Sequence, residues 1–416
     1  MALINARNNL GQFPVGSVVG YDFGAPADTR WLETDGSAIS TTTYSDLYDL
    51  VGYEYEGTGN LTSKDEITAS SGKSGYFVEW HPSSNYVACS TDVSGHEVMV
   101  ASFNGTTLTE VAYADLGSRS FSAGWHPDGN FLAVATFEGH LLKVLSWNGS
   151  NTLTEVESVD ITYGGMGISW HPDGDFLAVA HAPGGTDEIE IFSWNGTDTL
   201  TSVETLDYGA QPNGADWSPD GDYLAVPSNL ASNQVQIYSW NGSDTLTSVC
   251  SYDYGAGNYL THCDWSADGT FIACGGSKTS NQIVILSFNG TSLTERETVA
   301  LSANYFSGDL RWSGGGNYLI ASSYYYSASG SDDGVILFSW SPSTYTLTED
   351  DAISETQGGS RGAGFNYTNN YFAYTGYNTT VSPYNILYAG TTGLTSCDYM
   401  TNFLLPITTD SIIRAL

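Results

Sequence analysis

The stretch ISWHPDGDFLAVAHAPGGTDEIEIFSWNGTDTLTSVETLDYG, residues 168–209, decides the fold because it is written several times over. AGWHPDGNFLAVAT (123–136) stands upstream and ADWSPDGDYLAVPS (215–228) downstream, each followed by a Ser-Trp-Asn-Gly step and a Leu-Thr pair. Aligning on the aromatic before the His/Ser-Pro-Asp-Gly step gives seven anchors: Trp80, Trp125, Trp170, Trp217, Trp265, Trp312 and Phe365. A second aromatic follows six residues later in every copy, at Tyr86, Phe131, Phe176, Tyr223, Phe271, Tyr318 and Tyr371. A third recurs at Phe103, Trp147, Trp194, Trp240, Phe288, Trp340 and Tyr388, and a Leu-led strand opens at Leu108, Leu153, Leu200, Leu246, Leu293, Leu347 and Leu394. Successive anchors lie 45 to 53 residues apart. A period of that length with four short strands per copy predicts one blade of a β-propeller per copy, hence seven blades.

Within a copy the strands read A to D. Strand A ends at the anchor, Pro-Asp-Gly makes a tight turn, Phe-Leu-Ala-Val-Ala is strand B, and an alternating polar–apolar run is strand C. Asn-Gly then turns into strand D, as at Asn148-Gly149, Asn195-Gly196 and Asn241-Gly242, with both residues read as tolerating positive φ. A single blade leaves both faces of its sheet uncovered, so stacked blades must bury large side chains between them. An extra Leu-Thr strand at 61–69 precedes the first copy and is expected to close the ring by pairing with the last blade; LTSCDYM (394–400) is the rival closing segment.

The 416 residues include 46 acidic and 11 basic ones, a net charge of -35 and a pI near 4.1. Phosphate backbones need a basic footprint, so nucleic acid is excluded as a partner, and docking on anionic lipid is disfavoured. Charged residues make up only 14% of the chain, leaving a surface of Gly, Ser, Thr, Asn and Tyr. β-formers dominate over helix-formers, so the class is all-β. No apolar run is long enough to span a membrane, and MALINARNNLGQF lacks the apolar core of a signal peptide. A surface role would then require release by lysis or assembly into a particle. The five cysteines (Cys89, Cys250, Cys263, Cys274, Cys397) show no metal-binding spacing. Cys263 and Cys274 face each other across one hairpin, where a bridge is conceivable, but buried reduced thiols are the expectation.

The repeats resemble WD40-type propellers over about residues 76–400, chiefly through WHPDG and FLAVA, although the Gly-His and Trp-Asp signatures of that family are missing. The resemblance implies the ring fold and strand order, not a partner. Residues 14–52 are not repeat-like. Pro14, Gly16-Ser17, Ala25-Pro26, Trp31-Leu32, Asp35-Gly36, Tyr44, Leu47 and Val51-Gly52 are similar to the phage tail-collar family. The Phe-x-Leu-Pro segment that completes that small domain is absent after Gly52, but Phe403, Leu405 and Pro406 supply it near the end of the chain. The expected organisation is a seven-bladed propeller (60–397) inserted into a small collar-like α+β or β domain made of 1–59 plus 398–416, since a ring's termini lie side by side.

The A–B and C–D turns are short and uniform, whereas the B–C and D–A loops on the opposite face vary. That face is therefore the expected binding face. Tyr163, Tyr208, Tyr254, Tyr259 and Tyr305 on the D–A side, with Tyr324, Tyr325 and Tyr326 in the longest B–C loop, could stack on sugars. Packing between blades is at least as good an account of Tyr208 and Tyr254. Arg119, Arg311 and Arg361 fall near inner strands and could grip an anionic sugar, although pairing with inner-strand acids such as Asp264 or Asp309 is commoner. His81, His126 and His171 recur in the A–B turn and mark a position in the fold. No catalytic motif, metal-ligand set or cofactor loop emerges, so the chain is expected not to be an enzyme and to need no metal or cofactor.

The collar resemblance implies a virion tail-fibre or receptor-binding protein, extracellular after release. Its expected partners are other tail proteins through the base, a host-surface glycan or receptor through the propeller, and further copies of itself, trimeric in that family. The alternatives are a propeller enzyme (lactonase or glycan depolymerase) and a cellular WD40-type scaffold.

Overall fold

The computed structural model describes residues 59–69, 74–182, 184, 187–255, 257–277, 281–301, 306–324, 332–355, 360–376 and 384–394, with short strands at 18–20, 31–33, 38–40, 402–404 and 411–414. Everything regular among these residues is β-strand, and the repeats form seven blades. Blade 3 shows the pattern: A is Gly165–Trp170, B Phe176–His181, C Ile189–Trp194 and D Leu200–Leu206, hydrogen-bonded in that order. Strands A to C are almost wholly buried, while D alternates toward solvent, as the outermost strand of a radial sheet must.

The ring closes as expected. Thr62–Ala69 is the D strand of blade 7, antiparallel to Tyr384–Thr391, with Thr62 opposite Thr391 and Ile67 opposite Leu387. The ends of the chain also pair with each other: Val18–Gly20 and Trp31–Glu33 flank Ser411–Arg414, and Ala38–Ser40 pairs with Asn402–Leu404.

One contact set, repeated between blades, explains the repeated residues. The strand-B aromatic of one blade meets the strand-C aromatic of the next edge to face, with centroids 5.2 Å apart for Tyr86–Trp147, 5.3 Å for Phe131–Trp194 and 5.2 Å for Phe176–Trp240. Tyr371 against Phe103, at 5.1 Å, carries the same contact across the closure. Such pairs contribute about 0.5–1.5 kcal/mol beyond the area they bury. The turn histidines reach across too. His81, His126 and His171 each place Nε2 3.0 Å from a carbonyl in the next blade's turn, that of Gly129, Gly174 and Gly221. Those glycines have φ between +75° and +84°, and an added Cβ would fall within the histidine ring. Glycine is required there by backbone and neighbour alike.

The Asn-Gly turns work differently from the expectation. Gly149, Gly196 and Gly242 have positive φ, but Asn148, Asn195 and Asn241 do not. Each Asn instead turns its side-chain oxygen back onto the loop. Asn148 Oδ1 accepts from the backbone N–H groups of Ser150, Asn151 and Thr152 at 2.9–3.0 Å. The asparagine is chosen for its side-chain acceptor.

Candidate functional site

Strand A is the innermost of each blade, so its polar positions meet around the axis. The residue immediately before each anchor forms a ring: Glu79, Gly124, Ser169, Asp216, Asp264, Arg311 and Gly364. The ring floors a cavity of about 370 Å³ that opens between the A–B turns, walled by the anchors Trp80, Trp125, Trp170, Trp265, Trp312 and Phe365. The mouth that holds this cavity is the one with uniform turns.

The fold fixes the acids by giving each a structural bond as well. Glu79 Oε1 accepts the backbone N–H of Trp125 at 3.3 Å, Asp216 Oδ2 that of Trp265 at 3.1 Å, and Asp264 Oδ2 that of Trp312 at 2.6 Å. Each carboxyl thus tethers the next blade with one oxygen, while the other oxygen of Asp216 accepts from Ser169 Oγ at 3.5 Å and that of Asp264 faces Arg311. Indole N–H groups return the link: Trp80 donates to the Gly364 carbonyl at 3.1 Å, and Trp170 to that of Gly124 at 3.0 Å.

Arg311 is the ring's one cation. It lies 3.5 Å from Asp264 Oδ1 and 3.6 Å from Asp309 Oδ1. The pairing with Asp264 and Asp309 weighed from sequence is therefore present. His262 Nε2 faces both the Arg311 guanidinium and, at 3.1 Å, Asp309 Oδ1. Burial, reinforced by Arg311, holds the His262 pKa well below 6.5, so this imidazole is neutral. Burial also works against the charge of Arg311, but Asp309, Asp264, Glu79 and Asp216 outweigh it and hold its pKa above the ordinary value.

Four carboxyls share that single guanidinium, and burial raises all of them. Glu79 is pushed up to about 7, with Arg311 and the Trp125 N–H offsetting part of the rise. Asp216 is pushed up to about 8 by burial and by neighbouring Asp264. Asp264 and Asp309 are pushed up to about 6. Near neutrality the cluster holds protonated and ionised carboxyls together, and so offers both a proton donor and a proton acceptor.

The tyrosines and other arginines expected at the site are scattered. Tyr208 and Tyr254 are buried, at 6% and 2% exposure, and do not present their rings to a ligand. The Tyr208 hydroxyl donates to Val226 O at 3.2 Å and lies equally close to Ser228 Oγ, and that of Tyr254 donates to Asn281 O at 2.8 Å. Tyr163 is half-buried and donates to the Gly184 carbonyl, and Tyr259 opens the inner strand of blade 5 opposite Ser277. Tyr324 ends strand Tyr318–Tyr324 opposite Phe306; its side chain, with Tyr305, Tyr325 and Tyr326, lies outside the described residues.

Arg119 and Arg361 sit at the far mouth of the channel, away from Arg311. Arg119 pairs with Glu138 at 2.5 Å and lies over Phe121 and Phe137, and Arg361 lies 5.0 Å from the Tyr76 ring centroid. The channel residues Glu79, Asp216 and His262 were missed from sequence. The signal that could have found Glu79 and Asp216 is the variable column next to the repeated anchor; His262 stands three residues before Trp265, outside that column.

The phage tail collar domain family matches residues 16–64, and the seven-bladed β-propeller lactonase family matches residues 162–258. A search of curated proteins returns no match. Among solved structures, the chain is similar to the periplasmic gluconolactonase PpgL of Pseudomonas aeruginosa. Identity is 18% and the TM-score 0.56, over 78% of this chain and 97% of that one. It is also similar to a putative 6-phosphogluconolactonase from Bacteroides uniformis, with 17% identity, TM-score 0.58, and 75% and 96% of the two chains covered. The β-propeller domain of Cps50 (Swd1) from Myceliophteria thermophila matches at 12% identity and TM-score 0.58, over 80% and 99%. At these identities the likeness shows the fold, a seven-bladed propeller shared by lactonase-like and WD40 proteins. The expectation that the chain is not an enzyme is corrected here: the lactonase family match and these neighbours point toward lactonase-like propellers. The contiguous-motif reasoning behind that expectation could not register a site assembled from single residues about fifty apart.

Proposed function

We propose that this chain is a tail component of a tailed phage in which a collar-like base joins other tail proteins and the propeller meets host-surface carbohydrate or another receptor. The observation that carries this reading is the collar match at residues 16–64, which runs straight into the ring-closing strand at Thr62. Pairing of the first strands with the last, Val18 with Ile413 and Ala38 with Leu404, supports one discontinuous base of 1–59 plus 398–416. Peptide mass spectrometry of purified particles tests the location. Antibodies against residues 60–397 should block adsorption to the host. Their absence from particles, or adsorption unaffected at saturation, would sink the reading.

A second reading has its own support. The lactonase family match spans Ser169 and Asp216 of the channel ring, and the mixed protonation of the carboxyls suits acid–base opening of a lactone or glycosidic bond. Incubation with host polysaccharide and a lactone panel separates the two readings. Chain shortening or ring opening that Asp216→Asn abolishes favours the enzyme, and binding without turnover favours the receptor protein.

A further inference from the structure

The ring before the anchors has an uneven charge pattern. Arg311 is engaged with Asp264 and Asp309 on one side of the channel. Glu79 and Asp216 stand elsewhere in the ring, and neither has a cation within ion-pair distance among the described residues. Asp309 is itself only 5% exposed and accepts the backbone N–H of Leu310 at 2.9 Å. With all four carboxyls ionised, the channel carries three negative charges in excess of its guanidinium.

The space is kept open where a side chain could stand. Gly124 and Gly364 occupy ring positions that other blades fill with Glu, Ser, Asp or Arg. Neither has a positive φ, and an added Cβ would meet its nearest atoms at 3.6 Å and 3.7 Å, ordinary van der Waals contact. Backbone geometry and crowding therefore do not demand glycine at either place. What the two glycines preserve is room: Gly124 follows Glu79 around the ring, and Gly364 follows Arg311.

We propose that this cavity binds an amino sugar, its protonated amine received between Glu79 and Asp216 and its ring held against the indole wall. The sugar part rests on the carbohydrate reading above; the cationic part rests on the channel alone. A cavity of about 370 Å³ suits one small polar ligand. The anchor indoles line the cavity with only 4–7% of their surface exposed, a narrow apolar rim that leaves CH–π contact to the edge of a sugar ring and attraction of a cation. An anionic ligand is disfavoured, because the one guanidinium already faces two carboxylates. That separates this channel from one built for the phosphorylated lactone named for the Bacteroides uniformis neighbour. A metal ion is not the better occupant: among the described residues no three His, Cys, Asp or Glu side chains gather as ligands.

Binding is expected to release protons. A cation beside carboxyls held above their ordinary pKa favours their ionised forms. The titratable and charged groups lining the cavity are Glu79, His81, Asp216, neutral His262, Asp264, Arg311 and Tyr367, with Asp309 standing behind His262 and Arg311.

The test is a titration of the full chain at pH 7 with glucosamine, N-acetylglucosamine, 6-phosphogluconate and n-butylamine. It is followed by tryptophan fluorescence and by calorimetry in two buffers of different ionisation enthalpy. Glucosamine should bind with net proton release, and the other three at least tenfold more weakly. Gly124→Leu, which fills the cavity without changing charge, should abolish binding. Asp216→Asn keeps an acceptor for the Trp265 N–H and should weaken binding at least tenfold. Circular dichroism confirms that each variant is folded. No glucosamine binding at 50 mM, equal binding of N-acetylglucosamine or 6-phosphogluconate, or full binding by folded Gly124→Leu overturns the proposal. Equal binding of n-butylamine overturns the sugar assignment. None of these outcomes touches the adsorption test, so failure here and failure of the tail reading are separable.

Discussion

Replacing Glu79 by Gln should stabilise the protein at pH 8 and leave it unchanged at pH 4. In the folded chain the Glu79 carboxyl titrates near 7, against an ordinary value of 4.5, because burial penalises its charge more than Arg311 and the Trp125 N–H repay. The folded state thus holds this proton more tightly than the unfolded state. Stability from the group is fully present below about 4.5 and falls as pH rises through 7. The full shift corresponds to ~3 kcal/mol. The channel mouth admits water, which screens part of the penalty, so a difference of about 1–3 kcal/mol is expected. Gln preserves a side-chain oxygen for the Trp125 N–H at 3.3 Å, so the tether between blades 1 and 2 survives. Urea unfolding of both proteins at pH 4, 6 and 8 measures the difference directly. An advantage of E79Q that stays constant across pH would refute the reasoning, and so would a variant less stable than the parent at pH 8.

Two further predictions concern the same interior. His171→Ala removes the ring that bonds the Gly221 carbonyl at 3.0 Å and packs 4.9 Å from the Trp217 ring, leaving a buried acceptor and a gap; unfolding should lose about 2–3 kcal/mol, and a loss under 0.5 would show that the histidine staple is dispensable. Arg311→Met strands four buried carboxyls without their cation. It should cost about 3–5 kcal/mol at pH 8 and clearly less at pH 5, where the acids are protonated, and a pH-independent loss in urea unfolding would contradict the charge argument.

The ring was legible in the sequence because each blade must fit its neighbours, and that demand writes the same aromatic at the same place. Trp80 to Phe365, the turn histidines and the closing strand at 61–69 could all be placed from spacing alone. The floor of the channel could not. Glu79 and Asp216 stand next to the repeated anchors and His262 three residues before one, but nothing in a linear pattern says which of four strands lies innermost or that residues about fifty apart converge. Loop length differs plainly from copy to copy, whereas the channel residues vary as a single column inside a repeated strand. For Tyr208 and Tyr254 the sequence leaves packing and binding both open, and in the structure each uses its hydroxyl to satisfy a carbonyl within the fold.

The closing strand has a mechanical consequence. Thr62 and Thr391 are direct partners at the same end of two antiparallel strands, so the flanking segments leave the ring side by side. Force that draws those segments apart acts across the strands and breaks their hydrogen bonds one after another, like a zipper. Force that pulls both segments together, away from the ring, sets up no opposing pull across this pair, so the load passes along both strands into the rest of the ring. A ring carried on both of its flanking segments therefore resists tension along its mounting better than any twist that separates them.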